Sequence, residues 1–430
     1  VDIPFILIFI SIIGLIGGKL MLIPTQAAAL VVISSILISI PLMRAVKQSF
    51  VGSGQKAALL QETIAGAETI KSTTSQGYFI GRWQKYVAIT ASHAQESRYW
   101  STLALLVSTV LISLATVGVV IWGVYLIRDG ELTVGGLIAC TILTGRALAP
   151  LGQIAAILIR YQQARCSLTA LDDLMNTEDE IQKKGSIQIK NLKGEIELDK
   201  ISFRYPEQST DLFNNFSLKI HAGEKVAILG NIGSGKSTLL KLMQGLYTPT
   251  DGSVRIDNID VRQLDLIDLR KQVGYLDQDP TLFFGTIRDN IALKAPWVDD
   301  NQILAAANLS GAIQFIGKDP KGFGFTIGEN GKGLSGGQKQ AIALARTLLI
   351  ESGILLFDEP TASMDAQLER YFVEQMKSYC KNKTLVLTTY KNVLLELVNR
   401  IVVIQNGKIH MDGPKNEILT RLSTLSSGGA

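Results

Sequence analysis

The stretch from Gly230 to Thr238 constrains the fold more than any other part of this chain. It reads Gly-Asn-Ile-Gly-Ser-Gly-Lys-Ser-Thr, follows the apolar run 226–229 and precedes a helical pattern. A buried strand, a glycine-rich turn and a helix start are the parts of a phosphate-binding loop. Its backbone N–H groups surround phosphate oxygens, while the lysine adds a positive charge and the serine a hydroxyl for Mg²⁺. The candidate nucleotide contacts are Gly230, Asn231, Ile232, Gly233, Ser234, Gly235, Lys236, Ser237 and Thr238.

Composition divides the chain into two parts. Its 430 residues leave room for about two or three domains. A mean hydropathy of +0.24 with 19% charged residues is too apolar for an ordinary soluble protein, and the apolar excess lies before residue 165. The net charge of +4 comes without a lysine- and arginine-rich tract, so nucleic acid is not an expected partner. The three cysteines lie far apart, which favours reduced thiols over disulfides or metal ligands.

Apolar runs before residue 165 predict an all-α polytopic membrane domain. Runs at 3–22, 27–43, 101–127 and 134–159 are each about 20 residues or longer, the length that crosses a bilayer. The first two are joined by the short turn 23–26 and predict a transmembrane hairpin. Four buried core helices of this kind would leave too little polar surface to cover them. We therefore expect four membrane spans.

The segment between the second and third spans carries most of the basic residues of this half, whereas the two short loops carry only Lys19 and Arg128. The positive-inside rule places the middle segment in the cytoplasm. Apolar residues at helical spacing predict that it extends both spans as long helical arms, with a bend near 77–82 that could touch a cytoplasmic domain. The basic residues are Arg44, Lys47, Lys56, Lys71, Arg82, Lys85 and Arg98.

Arg146 lies inside the fourth span, where a charge is costly. It either lines a substrate pathway, or it extends to the interface or pairs within the bundle.

Past this span the helix turns amphipathic up to residue 175, and a charged connector follows. We therefore divide the chain into a membrane domain at 1–175, a linker at 176–194, a nucleotide-binding domain at 195–422 and a disordered tail at 423–430.

The second half alternates short apolar runs with helical patterns, which predicts an α/β domain with a largely parallel sheet covered by helices. Strands are expected at 195–203, 216–220, 226–229, 253–257, 273–276, 354–357, 384–388 and 401–404. Helices are expected at 236–244, 301–307, 338–350, 366–378 and 393–398.

The run Ile354 to Asp358 is an apolar strand that ends in a carboxylate, the Walker B pattern. Since the carboxyl ends of parallel strands meet at one edge, Asp358 should lie beside the phosphate loop and help to hold Mg²⁺. Glu359 follows and should accept a proton from an attacking water.

The stretch Leu334, Ser335, Gly336, Gly337, Gln338 opens a helix and resembles the signature of the ABC transporter family. Phosphate loop, signature and Walker B occur in the order typical of that family's nucleotide-binding domain. The resemblance implies that the signature acts in trans, on ATP held by the phosphate loop of a second subunit. It also implies an ATPase that works as a homodimer with ATP and Mg²⁺.

Smaller motifs extend the resemblance. Tyr205 is similar to the aromatic residue that stacks on adenine, although an ordinary strand-end tyrosine is the alternative. Gln278 resembles the Q-loop glutamine, which reaches Mg²⁺ and the attacking water and lies in the element that couples to the membrane domain. Asp365 lies in a stretch similar to the D-loop, which crosses between subunits. The segment 327–329 resembles one that contacts the membrane domain of exporters.

One position departs from the family pattern. Tyr390 follows the strand 384–388 at the place where the family has a histidine that hydrogen-bonds the γ-phosphate. A tyrosine hydroxyl can donate one hydrogen bond, but it is differently placed and carries no positive charge. We therefore expect intact ATP binding with weakened or slowed hydrolysis.

The order of spans and nucleotide-binding domain resembles an exporter half-transporter that lacks the first two of six spans, so we expect a longer native protein. The stretches 1–5, 137–140 and 145–153 are similar to type I secretion permease/ATPases. That resemblance implies a bacterial inner-membrane location, an exported polypeptide cargo, a membrane-fusion protein and an outer-membrane channel. The alternatives are an exporter of peptides, lipids or drugs, and an ATP-binding regulator with impaired hydrolysis.

Overall fold

The computed structural model describes residues 3–177, 180, 187–189, 191–206 and 208–427. The chain divides into two compact units, Val1–Glu178 and Asp179–Ala430. The division falls inside the charged connector 176–194 that the sequence predicts, and the exact domain bounds stay a prediction.

The regular secondary structure of the first unit is all helical in its described part. Its helices are α1 (Ile3–Gly17), α2 (Leu22–Ala65), α3 (Ala67–Ser72), α4 (Gln76–Arg128), α5 (Val134–Leu148) and α6 (Ile154–Met175), with 3-10 turns at Gly18–Met21 and Ala149–Gln153. Helices α2 and α4 pack along each other, and α1 packs on α5. The all-α prediction for this half is confirmed.

The turn between α1 and α2 lies earlier than predicted. The sequence places it at 23–26, around Pro24, but α2 begins at Leu22 and includes that proline. A proline in the first turn of a helix costs no hydrogen bond, because the N–H groups there have no partner within the helix. The chain instead turns at 18–21, after Gly18, whose φ of +56° only glycine adopts readily.

The predicted bend at 77–82 is also misplaced. Helix α4 begins at Gln76 and runs through both glycines of that stretch. The break lies at 73–75, where Thr74 has a φ of +56°. A long helix tolerates an interior glycine at a cost of about 1 kcal/mol, so Gly77 and Gly81 do not interrupt α4.

Three helical stretches of the described chain are long and apolar enough to cross a membrane by length and composition: Pro4–Ala65, Gln76–Arg128 and Val134–Gln153. The first contains both of the first two predicted spans, so the count of four spans stays a prediction. Many large apolar side chains in these helices are exposed on the unit, including Leu7, Leu15, Ile33, Leu114 and Ile121. Such a surface fits a hydrocarbon environment better than water.

The second unit contains strands β1 (Ile196–Phe203), β2 (Phe213–Ile220), β3 (Lys225–Gly230), β4 (Asp251–Ile256), β5 (Ile259–Asp260), β6 (Val273–Leu276), β7 (Gly285–Thr286), β8 (Thr326–Ile327), β9 (Ile354–Asp358), β10 (Thr384–Thr388), β11 (Arg400–Gln405) and β12 (Lys408–Pro414). Its helices are α7 (Lys236–Met243), α8 (Leu266–Gln272), α9 (Ile287–Ile291), α10 (Asp300–Ser310), α11 (Ile313–Ile316), α12 (Gly336–Leu348), α13 (Ala366–Tyr379) and α14 (Lys415–Ser427).

The main sheet has the order β12-β11-β3-β10-β9-β6, and only its edge strand β12 is antiparallel. Strands β9 and β10 are buried at every position, as central strands covered on both faces should be. The register places Thr388 beside Asp358 on one side and beside Ile228 on the other. The carboxyl ends of three strands therefore meet where the phosphate loop begins.

A second sheet, β2-β1-β4-β5, is antiparallel and was not predicted as separate. Its strands were expected, but strand pairing between distant segments leaves no local sequence signal.

The tail prediction is also wrong for 423–427, which continue helix α14. Leu419 and Leu422 pack against the buried core and hold this helix, and residues 428–430 lie outside the described part of the chain.

Candidate nucleotide-binding site

The phosphate loop joins β3 to α7 as the sequence predicts. Strand β3 lies between β11 and β10, so the loop leaves the middle of the main sheet. Gly235 is the N-cap of α7 with a φ of +97°, and a Cβ on it would lie 2.5 Å from the Phe213 ring. Glycine is therefore required there both by the left-handed backbone and by the lack of space. The loop N–H groups and the start of α7 can then face an anion.

Lys236 is held at the centre of this loop. Its side chain is 8% exposed, and Nζ donates hydrogen bonds to the carbonyl oxygens of Gly230 at 2.8 Å and Asn231 at 3.0 Å. A buried ammonium with backbone acceptors is a fixed positive charge at the mouth of the loop. Phosphate oxygens would meet that charge at a defined place.

Tyr390 approaches the same lysine from the end of β10. Its hydroxyl oxygen lies 2.5 Å from Lys236 Nζ and donates to the Gly230 carbonyl at 3.0 Å. The lysine nitrogen is 4.6 Å from the centroid of the tyrosine ring, which adds a cation–π contact. The side chain that replaces the family's histidine is therefore positioned directly at the phosphate-binding charge.

Asp358 ends β9 with its side chain 1% exposed. Thr388 Oγ1 donates to Asp358 Oδ1 at 2.5 Å, while Oδ2 is buried and has no hydrogen-bond partner among the described residues. A buried carboxylate oxygen without a donor fits a cation or a cation-bound water. With the Ser237 hydroxyl and the Gln278 amide in the adjoining cleft, these residues fit Mg²⁺. The described residues contain no group of three or more His, Cys, Asp or Glu that could hold a metal ion. The predicted Mg²⁺ set of Ser237, Gln278 and Asp358 is not such a group, because it contains only one carboxylate.

Glu359 has a strained backbone. Its φ of +45° is unusual for a residue with a side chain and costs about 1–3 kcal/mol. Its N–H donates to Thr388, to the carbonyl at 3.2 Å and to Oγ1 at 3.1 Å. Burial raises the pKa of the Glu359 carboxyl above its ordinary value, and the Asp358 carboxylate raises it further, while Lys236 and Lys391 lower it. A carboxyl with a raised pKa is a stronger base than an ordinary glutamate, as a proton acceptor should be.

One open cleft of about 640 Å³ is lined by half of the predicted site residues. It brings the adenine candidate Tyr205 and the Q-loop Gln278 together with the phosphate loop, Glu359 and Tyr390. The roles assigned to these residues stay predictions. The lining is Tyr205, Gln208, Leu212, Ile232, Gly233, Gly235, Lys236, Ser237, Thr238, Gln278, Glu359 and Tyr390.

Tyr205 is tied to the loop that it borders. Its hydroxyl shares a hydrogen bond with Thr238 Oγ1 at 2.7 Å. Its ring meets those of Phe203 and Tyr247 edge-on, with centroids 5.1 and 5.6 Å apart. The half-buried ring is therefore fixed at one wall of the cleft, in keeping with either interpretation of this residue.

The signature stretch 334–338 lies outside this cleft. Ser335 caps α12, since its Oγ accepts from the Gln338 N–H at 3.3 Å and its own N–H donates to Gln338 Oε1 at 2.9 Å. None of the residues 334–338 lines the cleft, and Ser335 is exposed. This placement agrees with an action in trans, which a single chain does not test.

The predicted D-loop residue also has a structural task. Asp365 caps α13, and its Oδ1 accepts from the Leu368 N–H at 2.8 Å. Ser363, at the start of the stretch 363–365 that resembles the D-loop, lies beside the start of α12, since a Cβ on Gly336 would be 3.2 Å from Ser363 Cβ. The signature and the D-loop stretch are therefore neighbours in the structure.

Among the residues that hold the site together, sequence reasoning missed Thr388 and Lys391. Thr388 binds both Asp358 and Glu359, and Lys391 donates to the Thr361 carbonyl at 2.7 Å and pairs with Glu369 at 3.1 Å. The signal for Thr388 was its place at the end of a predicted strand, and recognising it required the knowledge that β10 lies between β3 and β9.

The comparisons with known proteins agree with this geometry. Residues 213–362 match the family model of the ABC transporter domain, and residues 2–150 match that of the ABC transporter transmembrane region. Both parts of the chain therefore match ABC transporter models. A solved structure of a bacterial Atm1-family ABC exporter with ATP bound is similar to this chain, with a TM-score of 0.90 and 25% identity. The match covers 100% of this chain and 76% of that one.

Curated relatives of this chain include leukotoxin translocation proteins. The leukotoxin translocation ATP-binding protein LktB of Mannheimia haemolytica is 34% identical over 432 residues, and that of Bibersteinia trehalosi is 33% identical. Each alignment covers 99% of this chain and 60% of the relative. The chain therefore spans 60% of the length of these relatives.

Proposed function

We propose that this protein is the permease/ATPase subunit of a type I protein secretion system in the bacterial inner membrane. One observation carries the proposal. A single cleft of the ABC domain holds Lys236, Ser237, Gln278 and Glu359, on the same chain as helices apolar enough to cross a membrane. The names of the leukotoxin translocation relatives support a polypeptide cargo over a lipid or a drug.

The residues divide the work of ATP hydrolysis. The phosphate loop and the buried Lys236 ammonium bind the triphosphate, because they supply N–H donors and a fixed positive charge. Ser237, Gln278 and Asp358 would hold Mg²⁺, which neutralises phosphate charge when it is bound. Glu359 orients the attacking water and accepts its proton, for which its raised pKa is suited.

A homodimer completes the site in this proposal. Ser335 and Gly337 of one subunit would enclose the ATP that the phosphate loop of the other subunit holds. The start of α12 provides N–H groups and a partial positive charge for that task, and its N-cap serine is exposed. ATP then favours the closed dimer because it contacts both halves only when they meet, and this closure drives transport.

A second candidate function is an ATP-binding regulator with impaired hydrolysis. The observation that favours it is the contact between the Tyr390 hydroxyl and Lys236 Nζ at 2.5 Å. A phenol at this place occupies the lysine's third hydrogen bond and cannot give the γ-phosphate a cationic donor.

The test is ATP turnover by the full-length native protein purified from its membrane, together with identification of co-purifying proteins. Turnover that rises with a polypeptide cargo, and co-purification of a membrane-fusion protein, are the expected results. Turnover stimulated by lipid alone would point to another exporter class. Tight ATP binding without any turnover would contradict the proposal and favour the regulator.

A further inference from the structure

Gln340 lies on α12, just after the signature stretch, with its side chain 2% exposed. Both ends of its amide are used. Nε2 donates to the Glu359 carbonyl at 2.8 Å, and Oε1 accepts from the Ser363 N–H at 2.8 Å. A buried amide with both partners on other segments is a rigid connection, because breaking either bond leaves a buried polar group unpaired.

One of these bonds acts on the backbone of the proposed base. Glu359 has its left-handed φ only because its neighbours hold it on both sides. The Glu359 N–H donates to Thr388. The Glu359 carbonyl accepts from Gln340 Nε2 and, at 3.1 Å, from the Ala362 N–H. The backbone direction at this residue sets where the carboxylate points, so a change in its hydrogen bonds moves the base.

The other bond acts on the D-loop. Ser363 lies against the start of α12, where a Cβ on Gly337 would be 2.9 Å from the Ser363 carbonyl oxygen. Gln340 thus ties Ser363 to the helix that the signature begins. The side chain of Gln340 therefore connects the signature helix to both Glu359 and the D-loop through hydrogen bonds.

We infer that Gln340 is a positioning residue for ATP hydrolysis, which fixes the backbone of Glu359 and of Ser363 to the signature helix. Its buried side chain does not line the cleft, so it acts through Glu359. The inference rests on the proposed ATPase function.

The test uses Gln340→Met, which removes both hydrogen bonds, and Gln340→Glu, which keeps an acceptor for the Ser363 N–H. Gln272→Met is the matched control, because Gln272 also bridges a carbonyl and an N–H, those of Ile189 at 2.6 Å and Leu192 at 2.9 Å. The full-length protein is assayed for kcat, KM, ATP affinity and unfolding temperature. Both Gln340 variants should lower kcat about tenfold or more, since small misplacements of a catalytic group are costly. ATP affinity and KM should stay within about twofold.

A second measurement separates positioning from general damage to the fold. In a Glu359→Gln background the base is already absent, so Gln340→Met should not lower the residual turnover further. The inference is overturned if the Gln340 variants keep the wild-type kcat, if they lose no more than Gln272→Met, or if the loss is the same with and without Glu359. If neither the wild type nor Tyr390→His hydrolyses ATP, the proposed function itself fails and the inference falls with it.

Discussion

Two loops follow neighbouring parallel strands and meet at Lys236, yet they are built differently. The loop after β3 presents backbone groups, and the carbonyls of Gly230 and Asn231 hold the lysine. The loop after β10 presents the side chain of Tyr390, which is 56% exposed and covers the same lysine with its ring and hydroxyl. The first loop supplies the backbone groups and the lysine charge that ATP binding requires. The second loop has Tyr390 at the position where the family has the histidine that hydrogen-bonds the γ-phosphate.

This contrast separates binding from turnover within one cleft. Backbone groups of the first loop are fixed by the fold and change little between states. A side chain at the end of β10 can rotate, because its exposed half is not packed. We therefore expect substitutions in the first loop to remove binding, and substitutions in the second to change only the rate.

The largest effect is expected for Lys236→Ala. Loss of the fixed charge should weaken ATP binding and lower turnover about 1000-fold, the upper range for removal of one electrostatic group. Binding of a fluorescent ATP analogue and phosphate release measure the two effects. Lys219→Ala is the control, because that lysine lies on β2 in an exposed pair with Glu195 and should behave like wild type. ATP binding that survives Lys236→Ala would contradict the role of the first loop.

Glu359→Gln should be next in size. It keeps the shape of the side chain and one acceptor oxygen but removes the proton acceptor, so turnover should fall about 100-fold while ATP binding persists. Glu396→Gln, in an exposed pair with Lys377, is the matched control. If turnover survives the loss of the Glu359 carboxylate, another group is the base.

The pH dependence of kcat gives a smaller effect. Since burial and Asp358 raise the pKa of Glu359, the active carboxylate is present above that raised pKa and is lost as the pH falls through it. The acidic limb of kcat should therefore lie above the ordinary glutamate pKa of about 4.3. The limb should disappear from the residual rate of Glu359→Gln. A wild-type limb at the ordinary value would show that the carboxyl is not perturbed.

The parts of the fold with strong local signals were predictable. The phosphate loop depends on consecutive residues, and the apolar run of β9 is tolerated only in a buried central strand. The turn at 23–26 and the bend at 77–82 were misplaced, because α2 includes Pro24 in its first turn and α4 continues through Gly77 and Gly81. The second sheet was missed because the pairing of β1 with β4 joins segments far apart in the chain.

The candidate site shows the same division. Lys236, Asp358 and Glu359 stand in motifs and were found from spacing alone. Thr388 and Gln340 were not found, because their partners lie on other strands and helices and only the topology brings them together. The contact between Tyr390 and Lys236 could not be predicted either. The sequence shows a tyrosine at position 390, but not where its side chain points.

The most direct test of this account is the kcat of Tyr390→His beside that of the wild type, with ATP affinity measured in parallel. A histidine can donate a charge-assisted hydrogen bond to the γ-phosphate, which is stronger than a neutral one by about 1 kcal/mol. The account predicts that kcat rises about fivefold with ATP affinity unchanged, since about 1 kcal/mol corresponds to that factor. An unchanged or lower kcat with the same affinity would contradict the claim that Tyr390 limits hydrolysis.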